Sequence, residues 1–440
     1  MDHHETQVNF NPSREEPEAN VPQKNIRIAY LSGPCDAPAV YAEWSERRQQ
    51  DYFGSNYMKQ FLQLCDDLDA NSYVITTLPG EFNQCQRGRF IFDNHPTPSG
   101  LKGVGYHVAF LPWFARIIPR IIRFRPDALI VTESQSYWFF LFCLRWFGIP
   151  IIPSFHCVLW PKYGHRKWSS RVLWQLNRLL ILKYLKAIVV TSNDITRQVI
   201  ELLGAKQSSH IDFVRHFPTY SISQFGSIPL PTFVPRHPFR VIFAGRIETQ
   251  KGVYDLLEIA RRLDVERKGS FHFDICGDGG ELDHLRKRII DLKLEEVVSC
   301  HGHCNAQKLS LLLGASHAWV VPTKSDFEAG FEMVCAEAIL ANRPLITSAV
   351  CPALEDVREA TVEVQPDNVD QYYQGILKLN DDIDFYSCKQ TACIALQKPF
   401  YNPKNSWGTK IKEVLARYVV IPAVPNQNAM YASSKHERAP

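Results

Sequence analysis

Along this chain, short apolar runs rich in β-branched residues alternate with longer stretches whose apolar positions recur at helical spacing. In the first half the runs fall at 26–31, 73–77, 128–131, 149–153, 187–190 and 211–214. In the second half they fall at 240–244, 271–276, 297–300, 318–321, 345–347 and 361–364. Such alternation predicts an α/β fold of parallel sheets with crossover helices. Residues 227–238 carry Pro229, Pro231, Pro235 and Pro238 and read as a linker. The pattern divides the chain into two Rossmann-like domains, 25–226 and 239–398, facing each other across a cleft. A helical segment, 399–420, follows them. Residues 1–24 are polar and acidic and 421–440 are rich in Pro, Asn and Ser, so both ends read as disordered.

The most apolar stretch, 137–155, is interrupted by Arg145, Gly148, Pro150 and Pro153. A spanning helix needs about 20 apolar residues in succession. A buried helix followed by a buried strand fits this stretch better. The 12 cysteines are scattered, and none forms a C-x-x-C pair, which argues against a zinc or dithiol site. Residues 1–24 also lack the apolar core of a signal peptide. The expectation is a cytoplasmic protein with reduced thiols.

A formal charge of +3 decides nothing about partners, but its distribution does. Between 102 and 186 the cations include Arg116, Arg120, Arg123, Arg145, Lys167, Arg171 and Lys183, and the only acids are Asp127 and Glu133. Residues 107–125 and 166–186 are also amphipathic and carry Trp113, Trp168 and Trp174. Basic, aromatic-rich helices suit an anionic membrane surface, here the inner face. A solvated basic face on an ordinary core helix is the other reading. No nucleic-acid-binding module accompanies the charge, so nucleic acid is not expected as a partner.

In open α/β sheets, ligands bind at the carboxyl ends of strands. Three segments there carry candidate chemistry. In the first, a strand ends at Gly245 and is followed by Arg246 and Lys251 before a helix. Two cations at a helix start suit a diphosphate. The second places Gly277 and Gly279 after a strand, where glycines permit close backbone approach to a ligand. The third runs from Pro322 through Glu328, Gly330 and Phe331 to Glu337, with a helix expected to start near Gly330. A carboxylate such as Glu337 can accept both hydroxyls of a ribose.

Taken together and in this order, these segments resemble family 4 of the retaining glycosyltransferases, the glycosyl transferases group 1. The resemblance covers about 240–355 and includes Gly245-Arg246, Lys251-Gly252, Gly277-Asp278-Gly279, Gly330-Phe331, Glu337-Ala338 and Asn342-Arg343-Pro344. It implies a GT-B fold with an acceptor-binding first domain and a donor-binding second domain. It also implies transfer of a sugar from a nucleotide-diphosphate sugar to an acceptor hydroxyl, with retention at the anomeric carbon. The acceptor class implied is a lipid-linked molecule, a polysaccharide or another glycoconjugate.

The resemblance puts Arg246 and Lys251 on the donor diphosphate and Glu337 on the donor ribose. It puts Gly33, after the first strand, near donor and acceptor, and His156 facing the reacting sugar. It has the 399–420 segment, with Trp407, cross back to the first domain. No metal or other cofactor is implied: no Asp-x-Asp stands convincingly at a strand end, and Asp382-Ile383-Asp384 sits in a late polar segment. The family's first glutamate contacts the donor sugar, but Ala329 holds that position here. A one-residue slip that brings in the adjacent Glu328 is the expectation. The rival reading is a catalytically impaired GT-B protein that binds nucleotide sugar or a partner without transfer.

Overall fold

The computed structural model describes residues 26–46, 56–132, 137–231 and 238–419. Two sheets organise them. The first contains β1 (Arg27–Leu31), β2 (Asn71–Thr76), β3 (Asn83–Arg87), β4 (Phe90–Asn94), β5 (Ala128–Val131), β6 (Ile151–Phe155), β7 (Ala187–Val190) and β8 (Asp212–Arg215). Their spatial order is β3-β4-β2-β1-β5-β6-β7-β8, parallel except for the β3–β4 pair. The second contains β9 (Phe239–Ala244), β10 (Phe271–Cys276), β11 (Val298–Gly302), β12 (Ala318–Val321), β13 (Leu345–Ser348) and β14 (Thr361–Val364). Its order is β11-β10-β9-β12-β13-β14, all parallel. The fold is therefore α/β with two parallel-sheet domains of Rossmann type.

The central strands are apolar on both faces because helices cover both sides. Every predicted strand is present, with edges moved by one or two residues. The β3–β4 hairpin was not expected. β3 reads Asn-Gln-Cys-Gln-Arg and is solvent-exposed at the sheet edge, so it carries no apolar run. The apolar stretch after residue 137 forms a 3₁₀ helix, Trp138–Phe147, and then β6. Residues 232–237 of the linker and both chain ends lie outside the described residues.

The helix Trp407–Tyr418 packs on the first sheet through Trp407, Ile411, Val414 and Leu415. The Trp407 indole donates to Ser154 Oγ at 2.9 Å, and Gly408 N donates to Gln60 Oε1 at 2.9 Å. The two halves also touch near β13. Asn193 and Arg197 reach Glu355 at 2.9 and 3.0 Å, and Arg215 pairs with Asp356. Arg343 is fully buried and donates to the carbonyls of Leu313, Ala341 and Pro229 at 3.0, 2.6 and 2.7 Å. Its bond to Pro229 ties the start of the linker to the second domain.

Candidate functional site

Three loops of the second sheet converge on one cavity of about 500 Å³. After β9 come Gly245 and Arg246, then a 3₁₀ turn, Thr249–Lys251. After β10 comes Gly277, whose φ is +146°. A Cβ there would lie 1.7 Å from Gly245 O, so only glycine lets these two loops meet. After β12, the segment 322–332 leads into the helix Met333–Leu340. Gly245, Arg246, Lys251, Gly277, Glu332 and Glu337 all line the cavity.

The cavity concentrates charge. Arg246 Nη1 lies 2.7 Å from Glu248 Oε1 in an exposed pair, 60% and 33% accessible. Lys251 Nζ lies 2.7 Å from Glu332 Oε1, and both side chains are only 11% accessible. The Phe327 ring lies 4.1 Å from the Lys251 ammonium and 5.9 Å from the Arg246 guanidinium. Cation–π attraction at this range adds to the cohesion of the loop. Glu337 is buried, and burial pushes its carboxyl up to about 7, against the pull of a 3.1 Å hydrogen bond donated by Tyr220. Such a carboxyl is poised to gain from any further hydrogen-bond donor.

A second cavity of about 460 Å³ lies across the Phe327 ring. Its walls are aromatic, with Tyr106, Tyr137, Trp138, Phe155 and Trp174 from the first half. His156 and Glu328 both line it. Burial depresses the His156 imidazole to about 4, so the ring is neutral near pH 7. Its Nε2 lies 3.1 Å from Ser154 Oγ, which also accepts from Trp407. The rings of Tyr57 and His216 pack 4.2 and 5.5 Å from it. Removal from water raises the Glu328 carboxyl, and the Lys167 charge partly opposes the rise.

The two halves meet backbone to backbone between these cavities. Cys157 bridges Gly330, and Val158 N donates to Ala329 O at 3.0 Å. A Cβ on Gly330 would lie 2.6 Å from His156 O, so glycine permits this approach.

The expected residues thus divide into groups. Arg246, Lys251, Gly245, Gly277 and Glu337 share the first cavity, and His156 and Glu328 share the second. Gly279 packs against the Ile247 backbone behind the first cavity. Gly330 sits in the bridge. Phe331 is a core residue on Phe217 and Phe400, because the helix starts at Met333 rather than near Gly330 and the loop turns the ring inward. Gly33 follows β1 and lines neither cavity. Asp382 caps the helix Ile383–Leu396 at the surface.

Phe327 and Tyr220 escaped the sequence reading. Nothing in a lone aromatic residue separates a cavity wall from core. The position of Ala329 is fully buried and offers no side chain to either cavity. Glu328 and Glu332 flank it on opposite sides, one in each cavity.

Two parallel-sheet domains with a charged cavity at their strand ends are the architecture of GT-B glycosyltransferases. Residues 232–388 match the family described as glycosyl transferases group 1, and residues 74–213 match a glycosyl transferase 4-like domain. The chain belongs to the GT-B group 1 glycosyltransferases, and these two matches span most of it. Glycogen synthase of Mycobacterium tuberculosis is 31% identical over 113 residues, a stretch that is 26% of this chain and 26% of that protein. Among solved structures, sucrose-phosphate synthase from Thermosynechococcus elongatus superposes with a TM-score of 0.66 at 14% identity, covering 93% of this chain and 100% of the other. Anabaena HepE, solved with UDP and glucose, superposes with a TM-score of 0.59 at 14% identity, covering 89% of this chain and 100% of the other. At such identities the structural likeness concerns the fold.

Proposed function

We propose that this glycosyltransferase moves a sugar from a nucleotide-diphosphate sugar to an acceptor hydroxyl with retention of configuration. One observation carries the reading. Arg246 and Lys251 converge with Glu337 on one cavity between loops whose glycines admit a close ligand. The two cations hold the diphosphate and neutralise charge that develops on it as the sugar departs. This role needs no metal ion. Glu337 accepts the ribose hydroxyls. His156, neutral and tethered to Ser154, faces the reacting sugar from the acceptor side, and Glu328 faces the same space. The departing phosphate takes the acceptor proton, so no protein base is required. HepE, with UDP and glucose bound, shares the fold and supports a nucleotide-sugar donor.

The acceptor enters through the aromatic cavity. Helices beside it carry outward apolar side chains, among them Trp168 at 78% and Leu179 at 54% exposure, interspersed with Arg171 and Lys183. Among the described residues no helix is long and apolar enough to cross a membrane. We read the 107–125 and 166–186 face as the seat of a cytoplasmic protein on an anionic membrane surface, presenting the cavity to a lipid-linked or other glycoconjugate acceptor.

The test is product analysis. Proton NMR of the glycosylated acceptor should show the anomeric configuration of the donor, and EDTA should leave the rate unchanged. An inverted product contradicts the mechanism. Nucleotide binding without transfer to any acceptor favours the impaired protein that Ala329 raises. Sedimentation with phosphatidylglycerol-containing vesicles, absent with phosphatidylcholine alone, should be lost in Trp168→Glu/Leu179→Glu. Equal binding to both vesicle types removes the electrostatic part of the membrane reading.

A further inference from the structure

Lys251 is ion-paired within the first cavity. Its ammonium sits 2.7 Å from Glu332 Oε1, and neither side chain is more than 11% accessible. The same carboxylate oxygen lies 3.5 Å from Thr323 Oγ1. Glu332 holds this position from a left-handed backbone, φ +50°, at the start of the helix Met333–Leu340. Side-chain-bearing residues rarely adopt that region. Both members line the 500 Å³ cavity beside Arg246.

A diphosphate and the Glu332 carboxylate are chemically alike toward Lys251. Each is an oxyanion that accepts a charge-assisted hydrogen bond from the ammonium. Arg246 is also paired, with Glu248, but that pair is largely exposed and therefore weak. The buried pair is the one whose disruption matters, because an uncompensated charge in a water-poor site is costly.

We infer that Glu332 is an internal competitor for the donor diphosphate. It occupies Lys251 in the empty site and yields it when a nucleoside diphosphate binds. The displaced carboxylate remains inside the cavity, where it accepts hydrogen bonds from the hydroxyls of the sugar that the diphosphate carries. Glu332 thereby favours the complete donor over the spent nucleotide, which offers it no sugar hydroxyls in exchange for Lys251. The inference rests on reading the first cavity as the diphosphate site.

The test compares the full chain with its Glu332→Gln and Glu248→Gln variants by isothermal titration. UDP, GDP and ADP are titrated, and the tightest is repeated as its glucose conjugate. Glu332→Gln should bind the free nucleotide about tenfold more tightly, because the competing anion is gone. It should gain less for the sugar conjugate, because the hydroxyl acceptor is weakened. Glu248→Gln should change nucleotide affinity by less than about twofold, as expected for an exposed pair.

Free nucleotide bound no more tightly by Glu332→Gln than by the native chain overturns the competitor role while leaving the cavity a diphosphate site. Equal gains for free and sugar-bearing nucleotide overturn the sugar contact alone. No nucleotide bound by either protein removes the diphosphate site, and the inference with it. A Glu332→Gln chain that still unfolds in one cooperative transition, even at a lowered midpoint, excludes misfolding as the source of any loss.

Discussion

The two cavities are nearly equal in size, about 500 and 460 Å³, yet they are built from different material. The first forms where main-chain turns come together. Three loops meet through Gly245 and Gly277, and its side chains are mostly charged or small. The second is built from rings standing on helices and strands, with His107, His156, Cys157 and Glu328 also in its lining. A main-chain site fixes where atoms of a constant ligand group must lie. A ring-lined site can change its shape by exchanging one side chain for another. The first arrangement suits the invariant part of a substrate, and the second suits the part that distinguishes one enzyme from its relatives.

If the comparison holds, substitutions in the two cavities should separate binding from transfer. The largest effect is expected at Lys251. Lys251→Ala should lower turnover by about 10²–10³, the usual loss when one preorganised charge-stabilising group is removed. Nucleotide affinity should fall with it, and a titration beside steady-state rates checks both.

Gly277→Ala follows. It should destabilise the chain by about 3 kcal/mol, because the new Cβ collides with Gly245 O and the φ of +146° suits glycine. Urea unfolding measures it. A small loss would mean that the first site is less dependent on main-chain contact than proposed.

Glu337 gives a pH signature of similar size. Its carboxyl titrates near 4.5 when unfolded and about 7 when folded. Between those values the folded state retains a proton that the unfolded chain has released, so stability falls as pH rises through the window. The fall should reach at most about 3 kcal/mol and should be missing in Glu337→Gln. Unfolding midpoints of the two proteins from pH 4 to pH 8 check the difference.

The smallest effect is expected across the Phe327 ring. Glu328→Gln and His156→Gln should each lower the transfer rate by about tenfold, the upper end of what one lost hydrogen bond costs, while nucleotide affinity stays unchanged. Because His156 is neutral down to about 4, its protonation should leave the rate level between pH 5 and pH 8. A fall in nucleotide affinity in either variant would dissolve the distinction between the cavities.

The same contrast explains what could be read from the sequence. Gly245, Arg246, Lys251 and Gly277 follow strand ends, and Glu337 stands on the helix after the third loop, so their spacing reflects a local backbone geometry. The aromatic cavity draws Tyr106, Trp138, Phe155, Trp174 and Phe327 from separate elements. Each alone looks like core, and only the packing brings them together. Phe331 shows the converse, for its ring at least. Its place in the motif suggested the site, but the late start of the helix turns it into the core. The β3–β4 hairpin was hidden because an exposed edge strand of Asn, Gln and Arg carries no apolar alternation. The carboxylate question turned on one residue of spacing, which periodicity does not resolve. The one-residue slip favoured Glu328, yet Glu328 lines the second cavity and Glu332 the first.

The central claim is that the main-chain cavity holds a nucleotide-diphosphate sugar through Arg246 and Lys251. A panel of UDP-, GDP- and ADP-sugars, followed by thermal unfolding and by slow donor hydrolysis, tests it most directly. At least one donor should raise the unfolding midpoint and be hydrolysed, and Arg246→Ala and Lys251→Ala should abolish both responses. A midpoint unmoved by every nucleotide sugar, or one raised equally in both variants, would contradict it.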